Sequence, residues 1–92
     1  MKISKRLEAL EAESGAIEQK IANRLKVLRV ESGATQQTVA DVLRVRQNTY
    51  SQYENGQRQL PLESLVRLAV FYDVSVDYIL GLTEVEFPYP KK

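Results

Sequence analysis

Three amide side chains stand close together in a polar stretch of the sequence: Gln47, Asn48 and Gln52. If the stretch is helical, the separations of four and five residues place all three on one face. An amide carries a donor and an acceptor side by side, so it can make two hydrogen bonds to an adenine edge or donate to guanine. A good pair of such bonds contributes about 1 to 3 kcal/mol of discrimination between bases. The spacing therefore indicates a base-reading helix, and a merely solvated polar face is the alternative.

The residue inventory argues against an enzyme or a metal protein. The 92 residues include no cysteine and no histidine, which excludes disulfides, thiolate nucleophiles, ordinary zinc sites and a Ser-His-Asp triad. No close spacing among the remaining reactive residue types singles out a catalytic pair. A chain of this length is expected to form one domain with a short extension. We therefore expect no catalytic residues, no cofactor and no metal.

Positive charge is concentrated in the middle of the chain, although the net charge is only +1. Residues 20–60 carry seven basic and three acidic side chains, whereas the segments on either side are net acidic. A local basic surface of this kind suits phosphate groups. No stretch of about 18 apolar residues occurs, and the N-terminal segment turns acidic where a signal peptide would be apolar. We therefore expect a cytoplasmic protein with no membrane partner.

The elements that must position the amides are predicted to be helices. Proline occurs only at positions 61, 88 and 90, and apolar residues before position 82 recur mostly at helical spacing. The first expected helix runs from about Ala16 to Gly33, with an apolar stripe of Ile17, Ile21, Leu25 and Leu28. The second runs from Gln36 to Leu43 with Thr35 as its cap, and the third runs from Gln47 to Glu54 and ends at Asn55 and Gly56. The fourth begins at Pro61 and buries Leu62, Leu65, Leu68 and Ala69, and the fifth runs from Val76 to Leu80 with Ser75 as its cap.

The two ends of the chain are predicted to lie outside this helical domain. Residues 1–15 form an N-terminal helical extension, residues 16–82 the domain, and residues 83–92 an extended or disordered tail with two prolines. The extension has a heptad seam that could either lie on its own domain or pair with a second copy. The seam residues are Ile3, Leu7, Leu10, Ser14, Ile17 and Ile21.

Residues 23–81 resemble the phage repressor and Cro type of helix-turn-helix family, also called the XRE family. The resemblance rests on Gly33-Ala34-Thr35-Gln36, on Ala40, on QNTYSQYENG at 47–56 and on VSVDYILG at 74–81, in that order and at the right separations. It implies an all-α, five-helix repressor-like domain whose third helix enters the major groove of DNA.

The resemblance also implies roles for individual residues. Gln47, Asn48 and Gln52 occupy base-contact positions, and Thr49 and Arg46 can touch a thymine methyl, a nearby base or a phosphate. Arg29 and Glu54 match a pair in which a salt bridge joins the first and third helices. The expected phosphate contacts are Gln36, Asn55, Gln57, Arg58, Thr35 and Arg29.

Two residues depart from the family pattern. Arg44 stands where the turn usually has a small residue, often glycine, and Arg46 stands where a serine or threonine usually caps the recognition helix. An arginine with positive φ costs on the order of 1 kcal/mol, and the lost cap costs about as much again. Either the turn geometry shifts, or stability is lost in exchange for two positive charges beside DNA. A shift could move the base contacts by one residue.

Two functions from different classes remain open at this stage. The first is a sequence-specific transcription regulator, expected to be a repressor, that binds a palindromic operator in double-stranded DNA as a homodimer, with half-sites about 34 Å apart. The second is an antitoxin-type interaction module that neutralises a protein partner and regulates its own synthesis. The tail and the N-terminal helix could serve such a partner, but the intact amide positions favour the regulator.

Overall fold

A computed structural model of the chain describes residues 14–87, which form five helices and contain no strand. The helices are α1 (Ser14–Ser32), α2 (Gln36–Leu43), α3 (Gln47–Glu54), α4 (Leu62–Tyr72) and α5 (Val76–Ile79). The predicted all-α class is confirmed. The predictions for Ile3, Leu7 and Leu10 of the seam and for the last five residues of the tail lie outside the described residues.

Local capping explains why the helices begin and end where they do. The Thr35 hydroxyl accepts a hydrogen bond from the Thr38 backbone N–H at 3.1 Å, so α2 begins at the expected residue. At the end of α1, Gly33 has a φ of +76°, a left-handed conformation that glycine adopts without strain. Gly56 has a φ of +71° after α3, as predicted for the Asn-Gly helix exit.

The fourth helix begins one residue later than predicted, and its first residue is not buried. Pro61 is the N-cap, with extended backbone angles, and Leu62 begins α4 with 74% of its surface exposed. The prediction that Leu62 joins the buried face is therefore wrong. Leu62 lies in an i,i+4 row with Val66 and Val70, and all three side chains are exposed.

The core lies where all five helices meet. Its largest fully buried side chains come from every helix: Leu25, Val39, Tyr50, Leu68 and Ile79. Of the stripe predicted for α1, Leu25 and Leu28 are buried, whereas Ile17 and Ile21 are only half-buried. The shortest helix, α5, ends one residue before its predicted end. Among residues 14–87, no helix has both the length and the apolarity that crossing a bilayer requires.

The segment after α5 returns to the body of the domain without regular structure. Glu84 accepts a hydrogen bond from Arg24 of α1 at 3.1 Å, and the same guanidinium lies 4.0 Å from the centre of the Tyr78 ring. The Ser75 backbone N–H donates to the carbonyl of Glu86 at 2.8 Å. Part of the predicted tail is thus fastened to α1 and α5.

Candidate nucleic-acid interface

The turn between α2 and α3 contains both of the unusual arginines. Arg44 has a φ of 60° and ψ of 41°, so an L-residue with a long side chain holds the left-handed position. Arg46 is the N-cap of α3, and its side chain makes no capping hydrogen bond within residues 14–87. The turn thus has a left-handed residue at Arg44 and extended backbone at Arg46, and α3 begins at Gln47 as predicted.

The two faces of α3 have different chemistry. Tyr50, Tyr53 and Glu54 are buried against the domain. Gln47 and Asn48 are exposed. The remaining predicted base contacts are less uniform: Arg46 is exposed, whereas Thr49 and Gln52 are half-buried. The outward side of α3 therefore carries the amide side chains of Gln47, Asn48 and Gln52, which we call the amide surface. The most exposed of these amides lie at the N-terminal end of the helix.

Hydrogen bonds link the first residues of α2 and α3. The Gln47 Nε2 group donates to Gln36 Oε1 at 3.5 Å, a long contact between exposed side chains. Gln36 in turn donates from Nε2 to Glu54 Oε1 at 3.2 Å. The predicted phosphate anchor and the first predicted base reader therefore belong to one network, which we call the amide network: Gln47, Gln36 and Glu54.

Glu54 is the buried end of the amide network, with 2% of its side chain exposed. Arg29 donates to it from Nε at 2.6 Å and from Nη2 at 3.2 Å, and the Tyr50 hydroxyl donates to Oε2. Burial alone would raise the pKa of Glu54, but the hydrogen bonds from Arg29, Tyr50 and Gln36 outweigh it and hold the pKa below its ordinary value. Glu54 is thus a buried carboxylate that carries four donated hydrogen bonds.

Part of this arrangement was missed by sequence reasoning. The Arg29–Glu54 salt bridge was expected from the family resemblance, but the contacts from Tyr50 and Gln36 were not. Tyr50 and Glu54 are four residues apart on α3, so their i,i+4 spacing is a signal that was present. Burial raises the pKa of the Tyr50 hydroxyl, and its bond to Glu54 raises it further, so Tyr50 remains a donor.

Arg29 is mainly engaged inside the domain. Besides its two bonds to Glu54, its Nη1 group donates to the Ala34 carbonyl at 3.2 Å, and 16% of its side chain is exposed. The hydrogen bond to Glu54 raises the pKa of Arg29. These contacts connect α1, α3 and the loop before α2, and the expected contact between Arg29 and phosphate remains a prediction.

A second group of candidate residues surrounds the end of α3. Arg58 donates from Nε to Gln52 Oε1 at 2.7 Å, which holds the amide of Gln52 against the following loop. Asn55 and Gln57 are exposed beside it. The Thr35 hydroxyl, by contrast, is occupied by its cap and by a 3.0 Å contact with the Thr38 hydroxyl.

The two tyrosines of α3 are core residues. Tyr50 is fully buried and Tyr53 is 5% exposed, and their rings pack edge to face with centroids 6.4 Å apart. Neither ring is available for stacking on a base. The chemistry of this surface is therefore that of amides and guanidinium groups, which recognise base edges and phosphates.

Comparison with known proteins agrees with this geometry. A model of the helix-turn-helix family matches residues 25–79, which is more than half of the chain. A similar protein is the uncharacterized HTH-type transcriptional regulator YobD of Bacillus subtilis (strain 168), which is 52% identical over 40 residues. The match covers 44% of this chain and only 36% of that relative's length. No solved structure matches the chain significantly.

Proposed function

The chain belongs to the helix-turn-helix family of the XRE type, and we propose that it is a transcription regulator that binds a specific double-stranded DNA sequence. The observation that carries the proposal is the outward amide surface of α3, joined through the amide network to the first residue of α2. The name of the Bacillus subtilis relative, a transcriptional regulator, supports regulation as the role.

In this proposal α3 enters the major groove and its N-terminal half reads the bases. Gln47 and Asn48 are exposed at the start of the helix, where side chains of a docked recognition helix meet base edges. Gln52 contacts a base one turn later, and Thr49 and Arg46 add contacts to a thymine methyl or a neighbouring group. The uncapped start of α3 leaves Arg46 free to approach DNA.

The phosphate contacts flank α3 on both sides. Gln36 begins α2, where free backbone N–H groups attract an anionic oxygen, and its amide is already oriented by Glu54. Asn55, Gln57 and Arg58 follow α3 and hold the next phosphates. These contacts fix the register of the helix on the duplex, and the base contacts supply specificity.

Two features of the proposal concern assembly and effect. The protein acts as a homodimer on a palindromic operator, so that two copies of α3 lie about 34 Å apart in successive major grooves. Binding at such an operator represses transcription by occupying the site.

The test is selection of double-stranded DNA from a random pool, followed by binding measurements on the enriched sequence. Gln47→Ala and Gln52→Ala should each weaken binding by about 1 to 3 kcal/mol and relax preference at particular base pairs. Gln36→Ala should weaken binding to all sequences about equally, because its contact is to phosphate. Binding should also fall steeply with salt.

The matched control is Asn23→Ala, which removes an exposed amide from α1. It should leave affinity and preference unchanged. A pool that yields no enriched motif would contradict sequence-specific binding, and equal nonspecific losses in all three glutamine variants would contradict the assigned roles.

A further inference from the structure

The loop after α3 holds the side chain of Gln52 in one orientation. Arg58 Nε lies 2.7 Å from Gln52 Oε1. A guanidinium has donors and no acceptor, so the amide atom that it contacts is the oxygen. A hydrogen bond from a charged donor is roughly twice as strong as one between neutral groups. The contact therefore turns the oxygen of the Gln52 amide toward the loop, and the NH2 group points away from Arg58.

The backbone that carries Arg58 is itself held in place. The Gln57 N–H, one residue before Arg58, donates to the Gln52 carbonyl at 2.9 Å. Gly56 has a φ of +71° and lies close to α1, because a Cβ added to it would be 3.3 Å from Gln19 Oε1. The loop is thus fastened to α3 and packed beside α1, and Arg58 meets Gln52 from a defined position.

Holding Gln52 uses only one of the three guanidinium nitrogens. The Arg58 side chain is exposed, and among residues 14–87 it takes part in no salt bridge. Its two terminal nitrogens can donate to a phosphate oxygen while Nε holds the amide. The phosphate contact proposed above is therefore compatible with a second role at Gln52.

The orientation of the amide decides which group of a base pair suits it. In the major groove every base pair carries one keto oxygen, from guanine or thymine, and one amino group, from adenine or cytosine. A glutamine that reads adenine accepts from the amino group through its oxygen and donates through its nitrogen. Because Arg58 engages the oxygen of Gln52, the group left for DNA is the donor, which matches a keto oxygen.

We propose that Arg58 is a specificity-determining residue that acts through Gln52, turning the amide nitrogen toward the major groove so that Gln52 reads the keto oxygen of guanine or thymine. The inference rests on the proposed function, because it concerns one of the base contacts assigned there. A phosphate contact alone would make Arg58 alter affinity for all sequences about equally. A positioning role makes it alter preference at one base pair.

The experiment measures binding of the full chain to the DNA enriched from the random pool, with changes at the base pair where Gln52→Ala relaxes preference. Exchanging the keto and amino groups there, by replacing G·C with A·T or the reverse, should weaken binding of the parent about tenfold. In Arg58→Ala the amide can turn, so the same exchange should weaken binding only about twofold. Adding Arg58→Ala to Gln52→Ala should change preference no further, because the amide on which Arg58 acts is gone.

Base analogues identify the group that Gln52 reads. Purine in place of adenine, or 2-pyrimidinone in place of cytosine, removes only the amino group of the pair. Binding of the parent should change by less than about twofold, because the keto oxygen is retained. A loss of about fivefold or more that disappears in Gln52→Ala would show that the amide oxygen faces DNA, and would overturn the proposal.

The orientation can also be measured in the absence of DNA. In NMR spectra of the free chain, the Arg58 Nε–H should exchange with water about fivefold more slowly in the parent than in Gln52→Ala, because the bond to Gln52 Oε1 protects it. Equal exchange rates in the two proteins would show that Arg58 does not hold Gln52.

Two variants serve as controls. Gln57→Ala removes a neighbouring phosphate contact but keeps the backbone bond to Gln52, so it should lower affinity without changing preference. Arg67→Ala removes an arginine of α4, outside the proposed DNA contacts, and should change neither. An enriched motif read with the same preference by the parent and Arg58→Ala would overturn this inference and leave the proposed function intact. A pool without an enriched motif would contradict both.

Discussion

The corner between α2 and α3 and the corner between α4 and α5 have the same backbone geometry. Each begins with a non-glycine residue in the left-handed region, Arg44 with a φ of 60° and Asp73 with a φ of 54°. In each, the following valine, Val45 or Val74, donates its N–H to the carbonyl five residues earlier, at 3.0 and 2.9 Å. The domain thus contains the same helix-to-helix turn twice.

The two corners differ in the residue that starts the second helix. The Ser75 hydroxyl accepts a hydrogen bond from the Tyr78 N–H at 2.9 Å and closes the first turn of α5. Among residues 14–87, the Arg46 side chain makes no capping hydrogen bond, so the first turn of α3 is uncapped. The comparison teaches that one backbone geometry serves two purposes: the capped corner stabilises the domain, and the uncapped one leaves N–H groups and a positive charge at the amide surface.

The largest effect on stability should come from replacing Glu54, the buried carboxylate that accepts hydrogen bonds from α1, α2 and α3. Glu54→Gln leaves the guanidinium of Arg29 without its counter-charge and should lower the free energy of unfolding by about 2 to 3 kcal/mol. This loss is smaller than the loss expected for a fully buried ion pair, because 16% of the Arg29 side chain is exposed to water. Urea unfolding measures it, with Glu63→Gln on the exposed start of α4 as a control. A loss below about 0.5 kcal/mol would contradict the importance of the amide network.

The same carboxylate should make stability depend on pH. The folded-state pKa of Glu54 lies below its ordinary value of 4.5, so its contribution is fully present above pH 4.5 and is lost as pH falls through the lower folded value. Unfolding free energies measured from pH 7 to pH 3 should fall more steeply in the parent protein than in Glu54→Gln. Parallel curves would show that Glu54 does not supply the dependence.

An intermediate effect should come from exchanging the caps. Ser75→Ala removes a capping bond and should cost about 1 kcal/mol, whereas Arg46→Ser adds one and should contribute about 0.5 to 1 kcal/mol. Thermal or urea unfolding measures both. We expect Arg46→Ser to weaken DNA binding while it stabilises the domain. Equal stability changes of the same sign would show that the two corners are not built alike.

The smallest effect concerns the left-handed residues. Arg44→Gly relieves strain of on the order of 1 kcal/mol, reduced by the greater backbone entropy that glycine loses on folding, so we expect a net gain of about 0.5 kcal/mol. Asp73→Gly should gain less, because aspartate tolerates this region better than arginine. Urea unfolding of both variants compares them. A larger gain at Asp73 would reverse the proposed order of strain.

Local signals in the sequence predicted several of the helix ends. Thr35 and Ser75 are caps whose side chains compete for backbone N–H groups, so they mark helix starts without any tertiary information. Gly33 and the Asn55-Gly56 pair mark helix ends for an equally local reason. The predicted bounds of α2 and α3 agree with those of the structure, and of the two alternatives for the turn, the structure has the one in which Arg44 takes a positive φ.

Contacts between distant parts of the chain could not be predicted in the same way. Gln36 and Glu54 are 18 residues apart, and Arg24 and Glu84 are 60 apart, so no periodicity relates them. Leu62 was assigned to the core because its spacing from Leu65 is helical, but spacing does not reveal how far the neighbouring helices extend. Whether a side chain such as that of Leu62 is buried depends on how far the neighbouring helices reach along α4.

The burial of Glu54 has a consequence for the polarity of the hydrogen bonds that lead from it to the surface. An ionised carboxylate only accepts, so it turns the nitrogen of the Gln36 amide inward and leaves the Gln36 oxygen to accept from Gln47. The Gln47 nitrogen therefore also faces the domain, and its carbonyl oxygen is left without a partner among residues 14–87. A single buried negative charge thus sets the direction of two successive amides, and what it presents to the outside is an acceptor.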